Sequence, residues 1–181
     1  MTTAGLVLAA GEGKRFGGPK APFEFAGERL VDRAVRHLHD AGVEDVYVVL
    51  GAWSGDVPNA NAIINPDWAT GMGSSLRVGL SHLDSRAEID RVVVTLVDLV
   101  GLTSEAIHRV THSHAPVSIA TYDGTRGHPV TFSRVVWDQV QESATGDKGA
   151  RDFIRDNEHL VQEIEVGDVA TGEDLDVRPT S

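Results

Sequence analysis

The residues with the clearest chemical purpose lie in one run near the N-terminus, Leu8-Ala9-Ala10-Gly11-Glu12-Gly13-Lys14-Arg15-Phe16-Gly17-Gly18-Pro19-Lys20. Small residues and glycines let a backbone approach a phosphate chain, and successive N–H groups can form an anion-binding nest. Arg15 can fork onto phosphate oxygens, and Lys20 can supply a point charge. The local charge agrees. The chain carries 16 Lys+Arg against 27 Asp+Glu, a net of −11. Yet Lys14, Arg15 and Lys20 face only Glu12 in this run. An acidic protein that gathers cations into a glycine-rich loop points to an anionic ligand.

Other chemistries are excluded residue by residue. A dinucleotide fingerprint needs G-x-G-x-x-G opening a helix at once; here Phe16 stands at the third glycine, and Pro19 and Pro22 disfavour an early helix. A Walker A loop fits Gly13 and Gly18 but has Pro19 where lysine belongs. Ser74 and Ser75 sit outside any G-x-S-x-G frame, so they read as helix-capping hydroxyls. His108 and His112 have zinc-like spacing without a third ligand. The absence of cysteine removes disulfide, iron–sulfur and thiol chemistry. The acidic balance argues against nucleic-acid and anionic-membrane partners. With no basic leader and no apolar run of membrane length, a soluble cytoplasmic protein is expected.

Positioning such a loop requires a strand immediately before it. Ala4–Ala10 is β-branched and apolar enough to be that strand. Further strands are predicted at Asp45–Leu50, Ala62–Asn65, Arg91–Val97, Val117–Thr121, Val130–Phe132 and Leu160–Val166. The run Val92–Val97 is apolar on both faces, as in a central parallel strand. Helices are predicted over Glu28–Ala41, Gly73–Leu83, Thr103–His112, Ser133–Glu142 and Asp147–Asp156, with Gly42 as a stop. The alternation describes one α/β domain over residues 1–181, three-layered and Rossmann-like, with a mostly parallel sheet. Tyr122–Pro129, with Gly124 and Gly127, breaks the alternation and reads as a loop or small hairpin insertion.

The pattern L-A-A-G-x-G-x-R-x-x-x-P-K resembles the signature of the molybdenum cofactor cytidylyltransferase/guanylyltransferase-like (MobA-like) NTP transferases. Three later segments are similar to the cytidylyl branch: Asn65-Pro66-Asp67-Trp68-Ala69-Thr70-Gly71-Met72-Gly73-Ser74-Ser75-Leu76, Gly124–Pro129, and Gly146-Asp147-Lys148-Gly149-Ala150-Arg151. The resemblance runs from about Gly5 to Asp174.

It implies a set of roles. Leu8, Ala9, Ala10, Gly11, Glu12, Gly13, Lys14, Arg15 and Lys20 would bind nucleotide phosphates, and Asn65, Gly71, Ser74 and Ser75 the base and ribose. Asp98, closing the Val92–Val97 strand, would hold Mg²⁺. Its family continuation D-x-P is replaced by Asp98-Leu99-Val100. Asp168 would be the second metal ligand if the family's D-I-D-T-P-E-D-L register is allowed to slip. His128, Lys148 and Arg151 would face the acceptor. Arg15, Lys20 and Asp98 would carry catalysis. The implied activity is Mg²⁺-dependent transfer of a nucleoside monophosphate from an NTP to a phosphorylated, molybdopterin-type acceptor. Ala10, where the guanylyl branch has glycine, tilts this towards CTP. The chain is also similar to actinobacterial nicotine blue oxidoreductases, which would put NAD(P)H in the groove. A third reading is a non-catalytic nucleotide-binding maturation partner of a molybdoenzyme.

Overall fold

A computed structural model describes residues 1–180. Strand β1 (Thr3–Ala9) leads into the glycine-rich loop, followed by a two-stranded hairpin, β2 (Glu24–Phe25) and β3 (Glu28–Arg29). Then come α1 (Leu30–Asp40), β4 (Asp45–Leu50), β5 (Asn61–Ile64), α2 (Met72–Asp84), β6 (Arg91–Leu96) and α3 (Ser104–Thr111). The chain continues through β7 (Val117–Tyr122), β8 (Thr125–Ser133), α4 (Trp137–Ser143), α5 (Arg151–Asp156) and β9 (Val161–Glu165).

One seven-stranded sheet runs β5-β4-β1-β6-β8-β7-β9. Strand β8 is antiparallel to both neighbours, and the other pairings are parallel. The apolar runs explain the layers. Leu6, Tyr47, Val49, Val92 and Val94 point to one face, under Leu76, Leu80 and Leu83 of α2 and Trp137 of α4. Val7, Val48, Leu50 and Val93 point to the other, under Val31, Val35 and Leu38 of α1 and Ile107 and Val110 of α3. Successive residues of β1 and β6 thus enter different cores, which is why Ala4–Ala9 and Val92–Val94 are unbroken apolar runs. Among the described residues no helix is long and apolar enough to cross a membrane.

Helix ends follow local chemistry. After α1, Gly42 takes φ +90°, while the N–H groups of Gly42 and Val43 donate to the His39 and Leu38 carbonyls. This is a Schellman stop. Thr103 caps α3 by accepting from the Ala106 N–H at 3.2 Å. The predicted helices are longer than those observed at three starts. Glu28 and Arg29 are taken by β3, so α1 begins at Leu30. Ser133 completes β8, and a 3₁₀ turn over Arg134–Val136 precedes α4. Gly149 at φ +56° separates a 3₁₀ turn at Gly146–Lys148 from α5. Tyr122–Pro129 forms a hairpin whose turn is Asp123-Gly124, both at positive φ, with β8 continuing into the main sheet. The Glu165 carboxylate accepts from the Asp123, Gly124 and Gly167 N–H groups and fixes that turn to the end of β9.

Candidate active site

Strand β1 delivers the glycine-rich loop to the carboxyl edge of the sheet, where α/β folds place ligands. Inside the loop, Gly17 and Gly18 donate to the Gly13 carbonyl at 2.8 and 3.0 Å. Gly13 has φ +63°, and a Cβ there would lie 2.0 Å from the Gly18 carbonyl oxygen. Only glycine fits so tight a ring. At Gly11 a Cβ would meet nothing within 4 Å, so that glycine leaves open space rather than satisfying a packing need. Phe16 anchors the loop, buried and edge-on to Phe23 at 4.8 Å.

The loop forms one wall of a cleft of about 420 Å³. Residues Leu8–Lys14 and Lys20 line it on one side; Trp68, Gly71, Met72 and Ser75 line the other, with Asp147 and Asp98. Trp68 and Met72 read from the sequence as packing residues. They do pack against the core, and they also give the cleft an apolar wall.

Asp98 lies just past the end of β6, and Lys20 donates to its Oδ2 at 2.7 Å. Both side chains are only 16–17% exposed, so the pair is weakly screened. Arg15, by contrast, is 85% exposed and reaches only Asp176, at 3.7 Å. Lys14 pairs with Glu12 at 3.1 Å, also at the surface.

The structure does not bring Asp168 to Asp98. Asp168 is held in a two-pronged pair with Arg109 of α3, at 2.7 and 3.0 Å. That guanidinium lowers its pKa, and it takes no part in the cluster around Asp98. Without a register slip, Thr171–Leu175 matches T-P-E-D-L, and the preceding family Asp falls on the buried Ala170. The carboxylates that gather with Asp98 are Asp174 and Asp176, one oxygen from each lying within 4.8 Å of the others. The Leu175 N–H donates to the Asp98 carbonyl at 2.9 Å and holds this segment in place. The sequence signal was the D-x-D spacing of an extended segment, which puts alternate side chains on one side; it was hidden in a tail where acidic residues are common.

Asn65 and Ser74 form a buried clamp beneath the cleft wall. Asn65 Nδ2 donates to Ser74 Oγ at 2.9 Å and Ser75 Oγ at 3.0 Å, and its Oδ1 accepts from the Asp67 N–H. Ser74 Oγ donates to the Asp67 and Gly71 carbonyls. The serines therefore do not cap α2. Gly71, at φ +113°, occupies that position, because a side chain there would strike the Gly146 backbone at 2.6 Å. Ser75 and Gly71 line the cleft.

Near Asp98 the structure brings His128 under the fields of Asp98 and Arg151. Burial pushes the His128 pKa down to about 4, Arg151 adds to the shift and Asp98 opposes it. Tyr122 Oη donates to the His128 carbonyl at 2.5 Å and fixes its backbone. Lys148 is not part of this group; it is exposed and leans on Asp152 at 3.7 Å.

Comparison with known proteins places the chain in a family. The profile of the MobA-like NTP transferase domain matches residues 5–163. The chain belongs to this family. A curated relative named nicotine blue oxidoreductase, from Paenarthrobacter nicotinovorans, is 37% identical over 95% of this chain and 91% of its own. A 2-C-methyl-D-erythritol 4-phosphate cytidylyltransferase from Saccharopolyspora erythraea is 47% identical over 34% of this chain and 28% of its own. Among solved structures, a Mycobacterium sp. strain JC1 homologue of Mycobacterium tuberculosis Rv0371c superposes with TM-score 0.83. It is 26% identical and covers 97% of this chain and 90% of that one. The MobA-like fold, a mostly parallel sheet with the loop after β1, is thereby shared.

Proposed function

We propose that this MobA-like protein transfers a nucleoside monophosphate, CMP by preference, from an NTP to a phosphorylated acceptor of the molybdopterin type. The observation that carries the reading is the Lys20–Asp98 pair on the cleft between the glycine-rich loop and the end of β6. It sets a phosphate-seeking cation beside a metal-seeking carboxylate. An acceptor phosphate oxygen would bond to the α-phosphorus while the bond to the bridging oxygen breaks, and pyrophosphate leaves with that electron pair. The acceptor is already an anion, so no side-chain base is needed; catalysis is alignment and charge neutralisation. Loop N–H groups and Lys20 would hold the departing phosphates, with Arg15 free to swing onto them. Trp68 and Met72 offer an apolar face to the base. His128, kept neutral, and Arg151 would orient the acceptor.

Magnesium suits the donors present. Asp98 and Asp174 are hard oxygen ligands, gathered closely enough to share one ion. Bound there, it would supply charge neutralisation at the phosphates.

The relative from Paenarthrobacter nicotinovorans supports a second reading, an NAD(P)H-dependent oxidoreductase, because its match spans nearly both chains. One assay separates the two. Pyrophosphate release is followed with each NTP and a phosphorylated acceptor, in parallel with NADH and NADPH absorbance in the presence of a dye. Pyrophosphate release that falls at least about a hundredfold in Asp98→Asn supports the transferase. Coenzyme oxidation with no pyrophosphate from any NTP establishes the oxidoreductase instead. Tight nucleotide binding with neither turnover would mark a maturation partner.

A further inference from the structure

The C-terminal segment is stitched to the backbone that follows β6, beside Asp98. Thr171 donates its N–H to the Gly101 carbonyl at 3.0 Å, Gly101 donates back to the Glu173 carbonyl at 3.3 Å, and Leu175 donates to the Asp98 carbonyl at 2.9 Å. Beyond Leu175 the ion pairs of Asp176 and the cation–π contacts of Arg178 fall on the glycine-rich loop or its flank. Asp176 reaches both loop cations, with Lys20 Nζ and Arg15 Nη1 each 3.7 Å away. Arg178 lies over the rings of Phe16 and Phe23 at 5.1 and 5.3 Å. One carboxylate thus touches the two side chains best able to hold a phosphate, and the next cation along secures the segment on the aromatic pair that anchors the loop.

We propose that Asp176 is a built-in stand-in for a ligand phosphate: residues 176–178 strap the empty loop, neutralise Lys20 and Arg15, and lift away when a polyphosphate takes those cations. The inference rests on the reading that Lys20 and Arg15 bind phosphates. Its physical basis is competition for the same charges. Asp176 is 52% exposed and makes only long, solvent-screened contacts. Such pairs are weak, so a polyphosphate with several formal charges can displace it. Arg178 sets the strap's resting position through cation–π contact. The strap would make nucleotide binding weaker than the loop alone permits and would couple ligand entry to release of residues 176–178.

The test is titration with inorganic pyrophosphate, by calorimetry in EDTA so that no divalent ion contributes. Wild type is compared with Asp176→Asn, Arg178→Ala and Glu173→Gln. Glu173 lies on the same segment, and its carboxylate pairs with neither loop cation, so its variant reports the simple loss of one negative charge. Asp176→Asn should tighten pyrophosphate binding about threefold to tenfold, as expected for releasing two exposed ion pairs. Arg178→Ala should tighten it by a smaller factor despite removing a positive charge, which no general field effect could do. Glu173→Gln should stay within about twofold of wild type. Hydrogen exchange should show the Leu175 amide less protected once pyrophosphate is added. Equal affinity in wild type and Asp176→Asn, or equal tightening by Glu173→Gln, overturns the strap and leaves the phosphate site standing. If none of the four proteins binds pyrophosphate or any NTP, the phosphate-site reading itself fails and the strap fails with it.

Discussion

Lys20 is held between Asp98 and the more distant Asp176, and this changes what a charge-removing substitution at Asp98 should do. Asp98→Asn leaves a mostly buried ammonium without its close partner, and an uncompensated charge is costly. Unfolding in urea should show a loss of about 1–3 kcal/mol. The double variant Lys20→Met/Asp98→Asn should recover most of it, because the orphaned charge is gone; a simple sum of the two single effects would contradict the pairing. His128 gives a pH prediction. Unfolded, its imidazole accepts a proton near 6.5; folded, burial withholds that proton until about pH 4. The folded state therefore favours the neutral ring. Its contribution is complete above pH 6.5 and is lost as pH falls from 6.5 towards 4. Since His128 is part-exposed, the loss should be about 2 kcal/mol rather than the full linkage value. Thermal melts of His128→Asn against pH should be flatter than wild type across that window.

At the scale of elements, the loop after β1 and the clamp below α2 make opposite demands on small changes. Gly13→Ala should lower the ligand-free melting temperature, because its Cβ collides with the Gly18 carbonyl and positive φ disfavours a side chain. Gly11→Ala should leave that temperature almost unchanged, since its Cβ meets nothing, yet weaken nucleotide binding by filling the approach to the phosphates. Equal effects of the two substitutions on ligand-free stability would contradict the loop geometry. The clamp is tested by Asn65→Ala. Asn65 is fully buried and its amide serves two serine hydroxyls and the Asp67 N–H. Removing it leaves buried polar groups without partners and should cost about 2–4 kcal/mol in denaturant unfolding. Binding should weaken with it, because Ser75 and Gly71 at the start of α2 line the cleft. Restoration by Asn65→Asp is not expected, since a carboxylate accepts where the amide must donate.

At the scale of the whole molecule, the sheet places a cation-bearing loop at the edge of an acidic protein of net charge −11. A nucleotide must approach through this field, so its affinity should depend on salt in two ways. Screening of the general repulsion aids binding, while screening of the loop cations opposes it. Ligand linkage measures the outcome. At about 100 times its dissociation constant, a nucleotide should add roughly 2.7 kcal/mol, which for a chain of this size is about 5–10 °C in melting temperature. CTP with Mg²⁺ should give a larger shift than GTP with Mg²⁺. The reverse order would remove the cytidylyl preference and leave the transferase class. A large shift with NADPH alone, insensitive to EDTA, would favour the oxidoreductase.

Local chemistry in the chain was enough to locate the seven strands of the main sheet, the helix faces and the glycine-rich loop after β1, but not the short β2–β3 hairpin, whose Glu28 and Arg29 read as helical. Runs that are apolar on both faces announce strands covered on both sides, and glycines with Arg and Pro-Lys after β1 are what led to the expectation of an anion cradle. Asp98 was legible for the same reason, as a carboxylate closing an apolar run. The partners of these residues were not legible, because pairing depends on distance in space. Asp168 and Asp176 are eight positions apart in one acidic segment, where the D-x-D spacing of Asp174 and Asp176 is too weak a signal to rank them. Tertiary structure sends the first to Arg109 on α3 and the second to Lys20 and Arg15. Ser74 and Ser75 looked like caps because their neighbours permit it, and became clamp residues because β5 delivers Asn65 against them. Residue types set the chemistry available to the site; only the folding of β6, α3 and the C-terminal segment around the sheet decided which charges meet.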